Sequence, residues 1–228
     1  VNKAVDFIRS RTGVQKIHLI GHSWGATVVA KYSAEYGEKL DRIVLFAPFV
    51  QRPNDPDLTE APTVSYQCMT PQQRIEQFRG GTPRPDIVVL ESDVLKKKKK
   101  KWLATDSIAK KKDKNQVCYP AGWYSDLFDT YHGKAHYDPA KIRNSVLLVR
   151  GEWDTSPSSQ DAERLFEGLV NAETKRYCVI GSSTHVAHLE TGRFQLYDEV
   201  GSFLTGKKIW RPKIDFRIFE VSRVLVAL

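Results

Sequence analysis

Gly21-His22-Ser23-Trp24-Gly25 sets a serine hydroxyl in the middle of a glycine-bounded stretch of five residues. Such a hydroxyl is a weak nucleophile unless a base takes its proton, and the base needs a third group to fix its tautomer. Both are available downstream, in Gly151-Glu152-Trp153-Asp154 and in Gly181-Ser182-Ser183-Thr184-His185. With Ser23 as nucleophile, His185 as base and Asp154 as the orienting acid, the chemistry would be acyl transfer. Ser23 would attack a carbonyl, and water would then release the acyl group. The Trp24 amide, at the start of any helix following Ser23, would face the developing oxyanion.

Three residues so far apart in sequence meet only if the elements before them end on one edge of a sheet. Lys16 to Ile20 is a short apolar run that stops at Gly21, and Val28, Val29, Tyr32 and Tyr36 then follow a helical spacing that stops at Gly37. Arg42 to Phe46 is a second buried-type strand. Strand, turn, helix and strand in that order predict a parallel unit covered on both faces. The pattern returns with a strand over Ser145 to Arg150, a helix over Ser158 to Leu169 and a strand over Lys175 to Ile180. A last helix carries Phe194, Leu196, Tyr197, Val200 and Phe203, and a short amphipathic one ends near Thr12-Gly13. Asp154 and His185 thus fall in loops at the carboxyl ends of strands, the edge where Ser23 also stands. Small residues are expected at both 21 and 25, where the strand and helix backbones nearly touch.

G-x-S-x-G between a strand and a helix, followed in chain order by Asp and then His, resembles the α/β-hydrolase fold superfamily. The resemblance implies a parallel sheet flanked by helices, with residues 1–50 and 143–206 as its core and 51–142 as an inserted cap or lid. It implies Ser23, Asp154 and His185 as the catalytic triad, Trp24 as an oxyanion donor, no cofactor and no metal. The expected activity is cleavage of a carboxylic ester through an acyl-enzyme. Trp24 beside the nucleophile also resembles the proline iminopeptidases, and the lobe is compatible with carbon-carbon bond hydrolases. Trp102, Trp123, Tyr124 and Phe128 are the candidate substrate-binding residues, for an ester with an apolar moiety. Family members carry several strands before the nucleophile strand, whereas Ser23 arrives after 22 residues. The sheet is therefore expected to be incomplete on its N-terminal side, which motivates a second reading as an inactive partial fold that binds. Lys16 to Ile20 would then form an exposed edge, open to homo-oligomer pairing.

Each role has competitors. His188 is a second candidate base, Glu152 and Asp161 are candidate acids with solvated carboxylates as the alternative, and His22 is expected to point away from Ser23 as a packed histidine. His132 and His136 with Asp138 have metal-like spacing, but packing residues are the expectation.

The chain has 228 residues, 41% of them hydrophobic, enough to bury a core. Its apolar runs fall far short of the roughly 20 residues that span a membrane. Neither a membrane helix nor a secretory signal is read from it. The net charge of +8 belongs to two segments. Residues 91–114 hold ten lysines against four acids, residues 207–223 are also basic, and the remainder is slightly acidic. The run Lys96 to Lys101 is expected to be a solvated loop, without the interleaved aromatics of a nucleic-acid surface. Ile214, Phe216 and Ile218 alternate as a strand would, making Lys213 to Leu228, within the tail 207–228, either a substitute strand or a segment foreign to the fold. Cys68, Cys118 and Cys178 are odd in number and widely spaced. No disulfide is expected, and a reducing cytoplasm follows.

Overall fold

Alternate residues of one strand serve the two faces of a sheet, and in this protein they divide cleanly. Ile43 and Leu45 pack on one side with Val5, Val29, Val146, Leu148 and Leu165, while Val44 and Phe46 pack on the other with Leu147, Val149, Leu196 and Phe203. A strand apolar at every position must be buried on both faces, as parallel strands are. The computed structural model describes residues 1–54, 63–79, 81–84, 86–106 and 115–206. Helix α1 (Asn2–Thr12) leads into β1 (Ile17–His22), α2 (Trp24–Tyr36) and β2 (Leu40–Phe46). After residues 51–142 come β5 (Ser145–Gly151), α6 (Ser159–Gly168), β6 (Lys175–Ile180) and α7 (Arg193–Leu204). The four strands are parallel in the order β1-β2-β5-β6. All seven residues of β5 are buried, and β1 stands at an edge with Ile20 56% exposed.

The stretch between β2 and β5 has a different texture. Strands β3 (Tyr66–Met69) and β4 (Val117–Pro120) form an antiparallel ribbon, with β3 fitted between Pro62 and Pro71. Helices α3 (Pro71–Arg79) and α4 (Ser92–Leu103) lie between those strands in sequence, and α5 (Gly122–Tyr131) follows. Two expectations are corrected here. Lys96 to Lys101 is helical, in the middle of α4. Lysine is a good helix former, and Leu95 and Trp102, two turns apart, line the same cavity and fix that face of the helix. Cys68 and Cys118, directly opposite each other in the ribbon, are joined by a disulfide. Register across the ribbon decides that pairing, and linear spacing does not reveal it. The ground for a reducing cytoplasm is thereby removed. Residues 207–228 and Lys110 to Lys114 lie outside the described residues. Among the described residues, no helix is long and apolar enough to cross a membrane.

The disulfide spans a sequence separation of 50, so removing it releases a long loop in the unfolded chain. Cys68→Ser is expected to lower the free energy of unfolding by about 2 to 4 kcal/mol in urea titrations. Dithiothreitol should reproduce that loss in the parent and add nothing in the variant.

Candidate active site

The chain must reverse between β1 and α2 within one residue, and Ser23 absorbs the whole turn. Its backbone sits at φ 59°, ψ −128°, a conformation that costs a non-glycine residue about 1 to 3 kcal/mol. Ser23 N donates to Phe46 O at 2.9 Å, tying the turn to β2. The turn brings the two backbones into contact at Gly21, where an added Cβ would lie 2.4 Å from Gly25 O and 2.6 Å from Ala26 Cα. At Gly25 an added Cβ meets nothing within 4 Å, so the steric demand expected at both glycines falls on Gly21 alone. Gly21→Ala should therefore cost about 3 kcal/mol or more. Gly25→Ala should be neutral or gain up to about 1 kcal/mol, as alanine does inside a helix. Thermal unfolding of the pair checks this contrast, and equal destabilisation would contradict it.

The three loops carrying Ser23, Asp154 and His185 converge. His185 Nε2 lies 2.8 Å from Ser23 Oγ, and His185 Nδ1 lies 3.2 and 3.1 Å from the two carboxylate oxygens of Asp154. An imidazole carrying its proton on Nδ1 donates to Asp154 and presents a lone pair to the serine hydroxyl. Asp154 is only 4% exposed. Ser156 N donates to its Oδ1 at 2.9 Å, leaving Oδ2 for the imidazole. Trp24 opens α2, so its N–H is one of the amides that a helix start leaves without an intrahelical acceptor, beside the serine.

Ser23 and His185 form part of the wall of a cavity of about 750 Å³. Of the candidate substrate-binding residues, Trp102 and Trp123 line it, together with Trp24, Trp153, Phe49 and Leu127. Tyr124 and Phe128 are not among the lining residues. On α5, Trp123 and Leu127 share one face, and Tyr124 and Phe128 sit one position further round it. Tyr124 lies against Trp123, and Phe128 stacks on His132 with centroids 4.0 Å apart.

The model of the α/β hydrolase fold family matches residues 1–191. The chain belongs to the α/β-hydrolase fold family. Among solved structures, a serine hydrolase involved in carbazole degradation superposes on it with a TM-score of 0.59 at 18% identity, covering 90% of this chain and 71% of its own. A metagenome-derived lipolytic enzyme gives 0.57 at 14%, with coverages of 90% and 70%. A monoacylglycerol lipase of Paleococcus ferrophilus gives 0.57 at 20%, with 89% and 73%. At these identities the likeness is one of fold. No curated protein matches the chain.

Several residues that brace this hydrolase site are not evident from its motif. Arg150, buried at the end of β5, donates to the carbonyls of Glu152, Asp154 and Pro157 and to Ser159 Oγ, clamping the Asp154 loop. An arginine closing an otherwise apolar strand is the signal that could have found it. Glu190, fully buried, accepts from Thr184 N at 2.8 Å and from the Thr184 hydroxyl, fixing the residue before His185. Gly151 is covered by the same loop, since a Cβ there would lie 2.3 Å from Ser183 O.

His22 does not turn away into the core. Its Nε2 lies 2.8 Å from His185 O, and its ring stacks on Phe46 at 4.5 Å and meets the His188 ring at 4.6 Å. His188 thus packs in an aromatic layer, and the ring facing Ser23 is that of His185. Glu152 accepts from Ser182 N at 2.8 Å. Asp161 is 2% exposed and paired with Arg52 at 2.6 Å, so the solvated-carboxylate reading is corrected. Burial works to raise its pKa, but the bonds from Arg52 and Ser158 prevail and hold it below the usual range. His132 Nδ1 and His136 Nε2 lie 2.8 and 2.9 Å from the carbonyls of Phe128 and Asp126. Among the described residues, no cluster of three His, Cys, Asp or Glu could hold a metal.

Burial pushes the Glu190 carboxyl above its ordinary 4.5, against the Thr184 hydrogen bonds that favour the charge. The folded chain then holds a proton that the unfolded chain has released. This group's contribution to stability is fullest below pH 4.5 and declines as pH rises through the raised value. Glu190→Gln cannot titrate. The stability of the parent relative to this variant should therefore fall as pH rises above 4.5 in urea unfolding, and a flat difference would contradict the assignment.

Proposed function

We propose that this α/β-hydrolase is a serine esterase that cleaves a carboxylic ester of an apolar acid or alcohol. The observation that carries the reading is the continuous chain from Ser23 Oγ through His185 to the buried Asp154 carboxylate, opening onto a largely apolar cavity. His185 Nε2 takes the hydroxyl proton as Ser23 Oγ attacks the carbonyl carbon. Asp154 holds the imidazole in the required tautomer and stabilises the imidazolium. The oxyanion meets the Trp24 N–H, the alcohol leaves with the proton from His185, and water repeats the sequence on the acyl-enzyme. Residues 51–142 act as a cap, whose helices α3, α4 and α5 supply much of the cavity wall.

A prolyl iminopeptidase would need carboxylates to receive the substrate's ammonium group. Among the described residues, the one carboxylate lining the cavity is Asp154, already engaged by His185. This favours the ester. The disulfide fits an oxidising compartment better than the cytoplasm. The reading is tested on p-nitrophenyl esters of graded acyl length, with prolyl p-nitroanilide alongside. Turnover rising from acetate to octanoate supports it, and turnover of the anilide alone, or of neither by folded protein, overturns it.

A further inference from the structure

The cavity is apolar along most of its wall, but two of its described lining residues, Arg74 and Lys99, are cations. Helix α3 presents Pro71, Arg74 and Ile75 to it at positions i, i+3 and i+4. Helix α4 presents Val94, Leu95, Lys99 and Trp102. Of the lysines described in the Lys96 to Lys101 run, Lys99 alone lines the cavity, because it falls on the helix face set by Leu95 and Trp102. Lys99 lines the cavity and is exposed, as a lysine is when its stem covers apolar surface and its ammonium keeps contact with water. Among the described residues it has no ion-pair partner. Arg74 Nη1 donates to Gln77 Oε1 at 2.6 Å, one of its contacts.

We infer that the site selects an ester whose apolar portion carries a carboxylate at the end remote from the scissile bond. Arg74 and Lys99 receive the carboxylate and the aromatic wall encloses the chain. The inference rests on the esterase reading for its chemistry and on the cavity alone for its recognition. An apolar body with one charged end fits a cavity of about 750 Å³ whose described walls are rich in tryptophan and leucine and whose cations come from two helices in contact. A carboxylate gains charge-assisted hydrogen bonds from both cations, whereas an ammonium at the same place would meet like charge.

The test compares mono-p-nitrophenyl suberate, p-nitrophenyl octanoate and p-nitrophenyl 8-aminooctanoate, which are similar in length and differ in terminal charge. The expected order of kcat/KM is anionic, neutral, cationic, with about a tenfold preference for the suberate over the octanoate that shrinks as salt is raised. In the double variant Arg74→Gln/Lys99→Gln the suberate to octanoate ratio should fall to near one. Lys100→Gln, on the solvent side of the same helix, should leave that ratio intact. Binding is read separately in the Ser23→Ala variant, from tryptophan fluorescence on titration with monomethyl suberate and with methyl octanoate. Tighter binding of the suberate, lost with the two cations, supports the inference even where no ester is turned over, and then only the esterase reading falls. Equal binding, or ester turnover without preference for the anion, overturns the inference and leaves the esterase standing.

Discussion

Ser23→Ala is expected to abolish labelling of the folded chain by a fluorophosphonate and to lower ester turnover by at least about a thousandfold. The probe needs a hydroxyl whose proton can leave as phosphorus is attacked, and Ser23 Oγ, 2.8 Å from His185 Nε2, is so placed. The substitution removes one oxygen at a position whose backbone angles are already dictated by the turn, and Ser23 N still donates to Phe46 O. Alanine at φ 59° meets the same strain as serine, so the unfolding midpoint should move little. Loss of label with an unchanged midpoint assigns the effect to chemistry. A folded parent that takes no label would support the competing reading, in which this partial sheet binds without catalysing. Persistent labelling of Ser23→Ala would place the nucleophile elsewhere.

What could be read from the sequence was what is local or follows from topology. The strands of the sheet are apolar runs bounded by glycine or polar residues, and period-two alternation is enough to bury them. The turn at Ser23 is written in five consecutive residues. Asp154 and His185 could be paired with it because loops at the carboxyl ends of parallel strands share one edge, whatever their separation. The features that were missed depend on register or on faces. Cys68 meets Cys118 because β3 and β4 pair antiparallel with those two residues opposite, and nothing in a separation of 50 announces that. Trp123 lines the cavity and Tyr124 does not because they differ by about 100° around α5. Six lysines in a row read as solvated charge until Leu95 and Trp102 are seen to fix the helix face between them. Glu190 and Arg150 are buried charges whose purpose lies in the backbone groups they hold, and a sequence does not display those.

The identity of the acid makes a second large effect testable. Asp154→Asn should lower kcat by about 10² to 10⁴ while leaving KM nearly unchanged. An asparagine oxygen can still accept from Ser156 N, as Asp154 Oδ1 does at 2.9 Å, so the loop clamped by Arg150 keeps its shape. The group facing His185 Nδ1 then becomes an amide N–H. It stabilises the tautomer with the proton on Nε2, which confronts the Ser23 hydroxyl with a donor where an acceptor is needed. The two rival carboxylates should behave differently. Glu152→Gln loses only a charge-assisted bond from Ser182 N at an exposed position, and turnover should stay within about threefold. Asp161→Asn removes the buried carboxylate that Arg52 binds. It should cost about 3 kcal/mol of stability while kcat per folded molecule is retained. A carboxylate that braces the fold and one that orients the base thus separate on two axes, unfolding free energy and kcat. If Asp161→Asn lost kcat with its stability intact, the acid would have to be reassigned, although among the described residues only Asp154 has both carboxylate oxygens within 3.2 Å of His185 Nδ1.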